Sequence, residues 1–559
     1  MSPASNIDLF APFERDIILE IRTSKMEMMP GLKIETGIHK KLRSGRIPVS
    51  FVGLDSDEHD LVFHGGPDKA IHGYCCTHYP TWKDEFPDAA TRFERGGFGE
   101  NFVTERMNER NVCIGDIVSV GNDGVLLQVS LPRQPCFKLN HRFQIKNFAP
   151  NTYKTSRTGW YYRVLHEGTV QAGDEIRLVE RRWPKWTIER VQEYLHRTQD
   201  NAAMNEELAA ITDMGDESRK AFERRVEKLK AKQKREAAAL NGEDKEKWRD
   251  FRIVEKKSET PRIASFVLEA VTPDPNAGEM PLGAHARLRL PNGLMRSYSV
   301  VSGTPDRFEL GIALEEPSRG GSAYLHNTAK EGDTIQIGRV TSDVKPAGAA
   351  SNHVFIAGGI GITAFLSLLD MYQKIHWEST LHYGVREAPA DIPFKSRIDA
   401  LGKAVKVYDR SKGQRMDIPS IFANLPWNSH VYVCGPNRML EEAMREAKKR
   451  GLGEEEVHFE AFGADTSGDP FEVEVFSARE GKRTSLKVGG EETLLEVLRR
   501  RFGDEDVASS CEVGNCGTCK VVLKSGRVDH RGTGLLESER AGAMLSCVSR
   551  GIGKIAIEI

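Results

Sequence analysis

A run of three cysteines near the end of the chain, Cys511-Glu-Val-Gly-Asn-Cys516-Gly-Thr-Cys519, limits what the surrounding fold can be. A fourth, Cys547, follows in MLSCVSR. The C-x4-C-x2-C spacing with a distant fourth thiolate supplies the four soft terminal ligands that a 2Fe–2S cluster requires. A structural zinc site is the competing reading, but zinc loops usually pair their ligands as two C-x2-C knuckles, which this pattern is not. Gly514 and Gly517 suit a loop wrapped closely on a cluster, where side chains obstruct the backbone. Such a centre moves one electron at a time, so the rest of the chain is expected to hold its electron source and destination.

A chain of 559 residues is too long for one core and is expected to form three to five domains. A net charge of −2 with 29% charged residues gives no global basic field, so nucleic acid is not an expected partner. Nine cysteines are too few for a disulfide scaffold at this length, and committing four to a cluster points to a reducing compartment. The opening MSPASNIDLFAPFERDIILE has no basic stretch followed by an apolar run, and no segment reaches about 18 apolar residues. A cytoplasmic protein with no membrane partner is expected.

Residues 1–182 read as short β segments between Gly, Asp and Asn turns, such as IPVSFVGLD and DIVSVGNDGVLLQVSL. Three segments carry more chemistry than plain turns need: His64-Gly-Gly-Pro-Asp-Lys69-Ala-Ile-His72, Gly96-Gly-Phe-Gly-Glu100-Asn101-Phe, and Leu131-Pro-Arg133-Gln134-Pro135-Cys136-Phe-Lys138. With Thr158-Gly159-Trp160-Tyr161-Tyr162-Arg163 they fall in the order of the MOSC family, and the region resembles bacterial MOSC proteins that reduce N-hydroxylated bases. The resemblance implies a molybdenum cofactor with Cys136 as catalytic residue and metal ligand. It further implies Lys69, Arg133 and Arg163 as partners of the pterin's phosphate, and His64 and Asn101 as partners of its edge. Arginine suits such an anion through its bidentate fork. Cys75, Cys76 and Cys113 stand in apolar contexts and are expected in the core.

Residues 183–245 open with PKWTIERVQEYLHRTQ, whose Trp186, Ile188, Val191 and Leu195 recur at helical spacing. The following charged run interleaves both signs and reads as a solvated helix. This stretch resembles the three-helix domain that follows MOSC domains, and is expected to space the two halves.

Residues 246–345 alternate as strands of a small antiparallel barrel. Arg296-Ser-Tyr298-Ser299 matches the R-x-Y-S signature of the ferredoxin–NADP reductase superfamily, which it resembles. The resemblance implies that Arg296 pairs with a flavin phosphate, Tyr298 packs on the ring system and Ser299 bonds its edge. Ser318-Arg319-Gly320-Gly321-Ser322 offers the small residues and free N–H groups of a phosphate nest.

In residues 346–463, NHVFIAGGIGITAFLSLLDMYQ reads as buried strand, glycine turn and helix, with Gly359, Gly361 and Thr363 at a phosphate. A lone glycine turn is weak evidence. The succession AGGIGIT, HYGVR and Val431-Tyr-Val-Cys434-Gly435-Pro436 is nonetheless that of the same reductases, and implies that Cys434 approaches a nicotinamide. Arg386 is a candidate for reading a 2′-phosphate, and Phe459 and Phe462 for covering the flavin or packing in the core. A C-terminal cluster domain resembles the phthalate dioxygenase reductase type, which implies FMN (alternatively FAD) and NADH (alternatively NADPH).

Residues 470–559 follow the β-grasp order of plant-type ferredoxins. The chain is therefore expected to be multidomain α+β: a β-rich MOSC domain, a small helical domain, an antiparallel flavin β-barrel, an α/β nucleotide-binding domain and a β-grasp 2Fe–2S ferredoxin. The resemblances imply an NAD(P)H-dependent oxidoreductase that reduces a small N-hydroxylated substrate at molybdenum. The alternative is a reductase supplying a separate oxygenase in aromatic or xenobiotic catabolism, with the MOSC domain as an accessory binding module. A persulfide carrier at Cys136 is a weaker third reading, because the chain shows no desulfurase domain.

Overall fold

The computed structural model describes residues 11–32, 34–59, 65–240, 247–275, 277–316, 318, 320–342, 347–453, 455–460, 462, 466–503, 507–509, 512–514, 517–532 and 534–559, with 231–240 and 537 as backbone only. His64, Arg319, Cys511 and Cys516 lie outside the described residues. The chain divides into two compact units, 1–244 with 348–351, and 245–347 with 352–559. Among the described residues no helix is long and apolar enough to cross a membrane.

The first unit is built on a nine-stranded sheet. An inner strand, Val125–Pro132, is buried at all but one position, as expected of a strand covered on both faces. It pairs antiparallel with Trp160–His166, which pairs with Ile71–Cys75, which runs parallel to Phe102–Thr104. The register aligns Leu131 with Tyr161, Tyr161 with His72, and Gly73 with Phe102. The motif segments therefore end at one rim of the sheet, although up to about 90 residues separate them in sequence.

Three helical segments follow: Ile188–Gln192 extended by Glu193–Arg197, Ala202–Ala209, and the long Asp216–Leu240. The expectation of a spacer is corrected here. Trp186, Ile188, Val191, Leu195, Leu208, Ile211, Met214 and Phe222 belong to the same buried cluster as Val118, Leu127, Val129 and Tyr162 of the sheet. A helical face this apolar has to be covered, and the sheet covers it.

In the second unit, six strands from Arg249–Thr260 to Thr334–Ser342 close an antiparallel barrel. A five-stranded parallel sheet follows, with Asn352–Gly358 at its centre between Ser379–Val385 and Ser429–Cys434. Barrel and sheet meet directly: Ser367 Oγ accepts from Gly283 N at 2.9 Å and Glu259 Oε2 from Phe394 N at 2.9 Å. The final five-stranded sheet has the order expected of a β-grasp, with Arg550–Glu558 between Phe471–Ser477 and Lys520–Asp529. Its helix, Leu494–Phe502, starts with a reciprocal capping box between Thr493 and Glu496.

Candidate functional site

At the rim of the first unit, a cleft is lined by His72, Asn101, Arg133, Cys136, Lys138 and Tyr161, together with Thr36, Lys40 and His59. Arg133 follows the end of strand Val125–Pro132 with its N–H donating to Gly159 O at 3.1 Å, and the residue is buried at 6% exposure. Arg133 Nη1 has no hydrogen-bond partner among the described residues. A buried guanidinium N–H left open costs free energy, and an anionic ligand would recover it. Cys136 caps the start of helix Phe137–Phe143 in extended conformation and stays half-buried in the cleft.

A second layer supports this rim. Asp57, whose side chain is fully buried, accepts from Lys40 Nζ at 2.5 and 2.6 Å, from Ser24 N at 2.8 Å and from Asn101 Nδ2 at 2.7 Å. Burial lowers the Lys40 ammonium from its ordinary value, against the opposing pull of Asp57. Burial also holds His72 well below 6.5, with the Arg133 charge adding to the effect, so this imidazole is neutral near pH 7. His72 leans on Tyr161 with ring centroids 5.2 Å apart. Gly159, at φ +83°, allows the packing: a Cβ there would stand 2.4 Å from His72 Nε2.

The cleft thus gathers three of the expected residues, Asn101, Arg133 and Cys136, and omits two. Lys69 pairs with Glu217 of the long helix, while Arg163 donates to Asp68 at 2.6 and 2.9 Å and to Gln128 at 3.0 Å. Neither cation lines the cleft, a correction: Glu217 of the long helix takes up Lys69, and Asp68, from the same motif as Lys69, takes up Arg163. Asn101 also proves structural in part: its Oδ1 accepts from His72 N and its Nδ2 donates to Arg22 O and Asp57. Cys75 and Cys113 are core thiols, and burial pushes Cys113 up to about 12. Lys40, Asp57 and His59 carried no motif signal; His72 lay inside a quoted segment without a role.

In the barrel, Arg296, Tyr298 and Ser299 lie on strand Met295–Thr304. A Cβ on Gly321 would stand 2.7 Å from Arg296 Cγ and 3.2 Å from Tyr298 Oη, so the two flavin segments meet across a gap only glycine permits. Gly320 adopts φ +91°. Ser322 Oγ accepts from Glu315 N at 3.3 Å and lies 3.0 Å from Ser318 Oγ, which holds this turn in shape. Ser299 is buried in the ladder opposite His285.

In the parallel sheet, a short 3-10 turn, Gly359–Ala364, intervenes before helix Leu366–Lys374. The expectation for Thr363 is corrected: it is 1% exposed, and its hydroxyl donates to Ile360 O at 2.8 Å. Its methyl faces barrel residue Gly311, where a Cβ would lie only 2.5 Å away. Gly361 lies against the end of strand Ser429–Cys434, where its Cβ would meet Cys434 O at 2.3 Å and Gly435 N at 3.1 Å. The backbone of Cys434 therefore meets the turn at Gly361. The thiol is fully buried and pushed well up by burial, with Glu460 adding to it. Arg386 is exposed, and Phe459 and Phe462 pack against the buried clusters of the sheet.

Of the cluster cysteines, Cys519 and Cys547 are described, both buried, with Sγ atoms 3.1 Å apart. That separation is well beyond a disulfide bond of about 2.05 Å. Gly514, at φ +83°, would place a Cβ 2.7 Å from Val548 Cγ2 and 3.0 Å from Gly532 Cα. Glycine meeting glycine keeps the loop tight, and the residues present fit a cluster cradle.

The MOSC domain family matches residues 60–177, a YiiM-like three-α-helix domain matches 186–229, and the 2Fe–2S iron-sulfur cluster binding domain family matches 478–550. A reductase of Gibberella moniliformis is 35% identical over 99% of this chain and 97% of its own. The chain belongs to this reductase family. Its second half is also similar to the heme-dependent oxidative N-demethylase beta subunit of Ectopseudomonas mendocina, at 33% identity over 54% of this chain and 96% of the relative. The phthalate dioxygenase reductase of Burkholderia cepacia is 31% identical over 54% of this chain and 94% of its own. The protein joins a MOSC domain to an oxidoreductase module of the flavin and 2Fe–2S electron-transfer type.

Proposed function

We propose that this protein is a self-contained NAD(P)H-dependent reductase whose electrons end at a molybdenum cofactor held in the Cys136 cleft, where a small N-hydroxylated compound is reduced. The observation that carries this reading is the pairing, in one cleft, of a half-buried thiol with a buried guanidinium whose Nη1 lacks a partner among the described residues. Among those residues no group of three or more His, Cys, Asp or Glu is arranged to hold a metal. A metal at Cys136 would therefore arrive with its own ligands, as one carried by a pterin does. When bound, the nicotinamide supplies hydride, the flavin and cluster divide it into single electrons, and the molybdenum cofactor supplies oxygen-atom removal.

The chain's own residues then have distinct tasks. Cys136 would ligate the metal through sulfur. Arg133, with Lys138 beside it in the lining, would neutralise an anionic group of the cofactor. Neutral His72 lines the cleft without adding charge, its Nε2 facing Thr158 O at 3.4 Å. Asp57 holds Lys40 and Asn101 in place beneath the rim. In the second unit, Arg296 and the Gly320–Gly321 turn would grip the flavin, and the Gly359–Gly361 turn the dinucleotide.

The deciding experiment is metal analysis of the purified protein combined with Cys136→Ser. The variant is expected to lose hydroxylamine or amidoxime reduction while keeping NADH-driven ferricyanide reduction. Equal loss of both activities, or active protein free of molybdenum, refutes the reading. A second reading is favoured by the relatives named as a demethylase subunit and a dioxygenase reductase: the reductase half serves a separate oxygenase. Active protein without molybdenum that needs a second protein supports that alternative.

A further inference from the structure

The cluster-binding loop is not held by its own domain alone. Arg287 belongs to barrel strand Ala284–Arg289, directly opposite Ser297 of the strand that carries Arg296 and Tyr298. Its side chain is only 4% exposed, yet it carries a permanent charge. That charge points at the ferredoxin domain: Nη2 lies 3.4 Å from Glu512 Oε1, and Nη1 lies 3.5 Å from Ser509 O. Glu512 is the residue next to Cys511, the first cysteine of the cluster motif. The same Oε1 accepts from Arg499 Nη2 at 2.7 Å, and Arg499 stands on ferredoxin helix Leu494–Phe502. Arg499 also donates to Ser509 Oγ, which lies 3.3 Å from Glu512 Oε1. Glu512 adopts φ +59°, a conformation that a non-glycine residue keeps only when its surroundings impose it.

One carboxylate is thus shared by two arginines, one from the flavin barrel and one from the ferredoxin. A buried guanidinium needs such a partner, and removing either side leaves the other charge uncompensated. We propose that Glu512 is a positioning residue for electron transfer: through Arg287 it fixes the cluster loop against the barrel strand that neighbours the flavin signature, and so sets the distance over which flavin and cluster exchange electrons. This rests on the reading of the second unit as a flavin and 2Fe–2S module. In this proposal Glu512 acts through the loop that it anchors.

The test is Glu512→Gln in the full-length holoprotein, an isosteric change at a side chain that is 30% exposed. Anaerobic stopped-flow mixing with NADH follows flavin bleaching and cluster reduction separately. Flavin reduction is expected at the parental rate, and cluster reduction about tenfold slower or more, since small misplacements of reacting centres carry large rate costs. Hydrogen exchange at residues 507–514 in the resting protein is expected to rise, a change independent of turnover. Arg287→Gln is expected to give the same split, and the double variant to be no slower than either single one, as for residues acting through one contact. Parental cluster reduction in Glu512→Gln with full iron content overturns the proposal. So does a slowed rate that follows a changed cluster potential with unchanged hydrogen exchange. Absence of iron and flavin from the parental protein would instead refute the underlying module.

Discussion

Gly361→Ala tests how the nucleotide site is built. The added Cβ would stand 2.3 Å from Cys434 O, 2.7 Å from Cys434 C and 3.1 Å from Gly435 N. All three are backbone atoms at the end of a central parallel strand, so no side chain can swing aside. An ordinary contact needs about 3.4 Å or more, and one of the two turns has to retreat by about an ångström. Overpacking of this kind costs roughly 1–3 kcal/mol. Strain relieved by moving the turn out of its nucleotide-competent position raises the NADH KM by about 5- to 150-fold. Gly359 is the internal control: its φ is +54°, but a Cβ there meets nothing within 4 Å. Gly359→Ala carries only the left-handed backbone cost of about 1–2 kcal/mol, and is expected to disturb KM less. The assay is NADH-dependent ferricyanide reduction by each variant, with flavin and iron content measured alongside. A Gly361→Ala enzyme with parental KM, or one milder than Gly359→Ala, refutes the idea that close approach of the two turns shapes this site.

Gly514→Ala combines a φ of +83° with a Cβ 3.0 Å from Gly532 Cα, and is expected to lower the iron content of purified protein while flavin content holds. Arg133→Met removes the buried guanidinium from the cleft; under the proposed function, molybdenum content falls at least severalfold with ferricyanide reduction unchanged, as metal analysis reads directly. The reductase half is expected to lose stability in mild acid. Burial lowers His353 to about 3 and His458 to about 4, with neighbouring His430 adding to both. Because the folded values lie below the ordinary 6.5, the unfolded chain takes up protons first. The stabilising contribution is therefore complete above about pH 6.5 and declines as the pH falls toward 4. Denaturant midpoints at pH 7.5 and 5 check this, and His458→Gln is expected to flatten the difference.

Spacing and local alternation determined a great deal by themselves. The C-x4-C-x2-C run acts within a few residues, so its chemistry is legible in its spacing, while the R-x-Y-S strand and the glycine turns took their meaning from the resemblance of their order to a known family. What the chain order left open was which charges would meet. Lys69 and Arg163 carry the residue type for an anion, yet Glu217 and Asp68 take them up, while Arg133 lines the cleft with an Nη1 that has no partner among the described residues. Lys40 and Asp57 form a buried pair that no motif announced. Thr363 follows a glycine turn as a phosphate contact would, but packing against Gly311 hides its side chain. Arg287 and Glu512, 225 residues apart, meet only because barrel and β-grasp domain lie side by side. Pairing of ions depends on register and on which faces are brought together, and that information resides in the folded chain rather than in any short stretch of it.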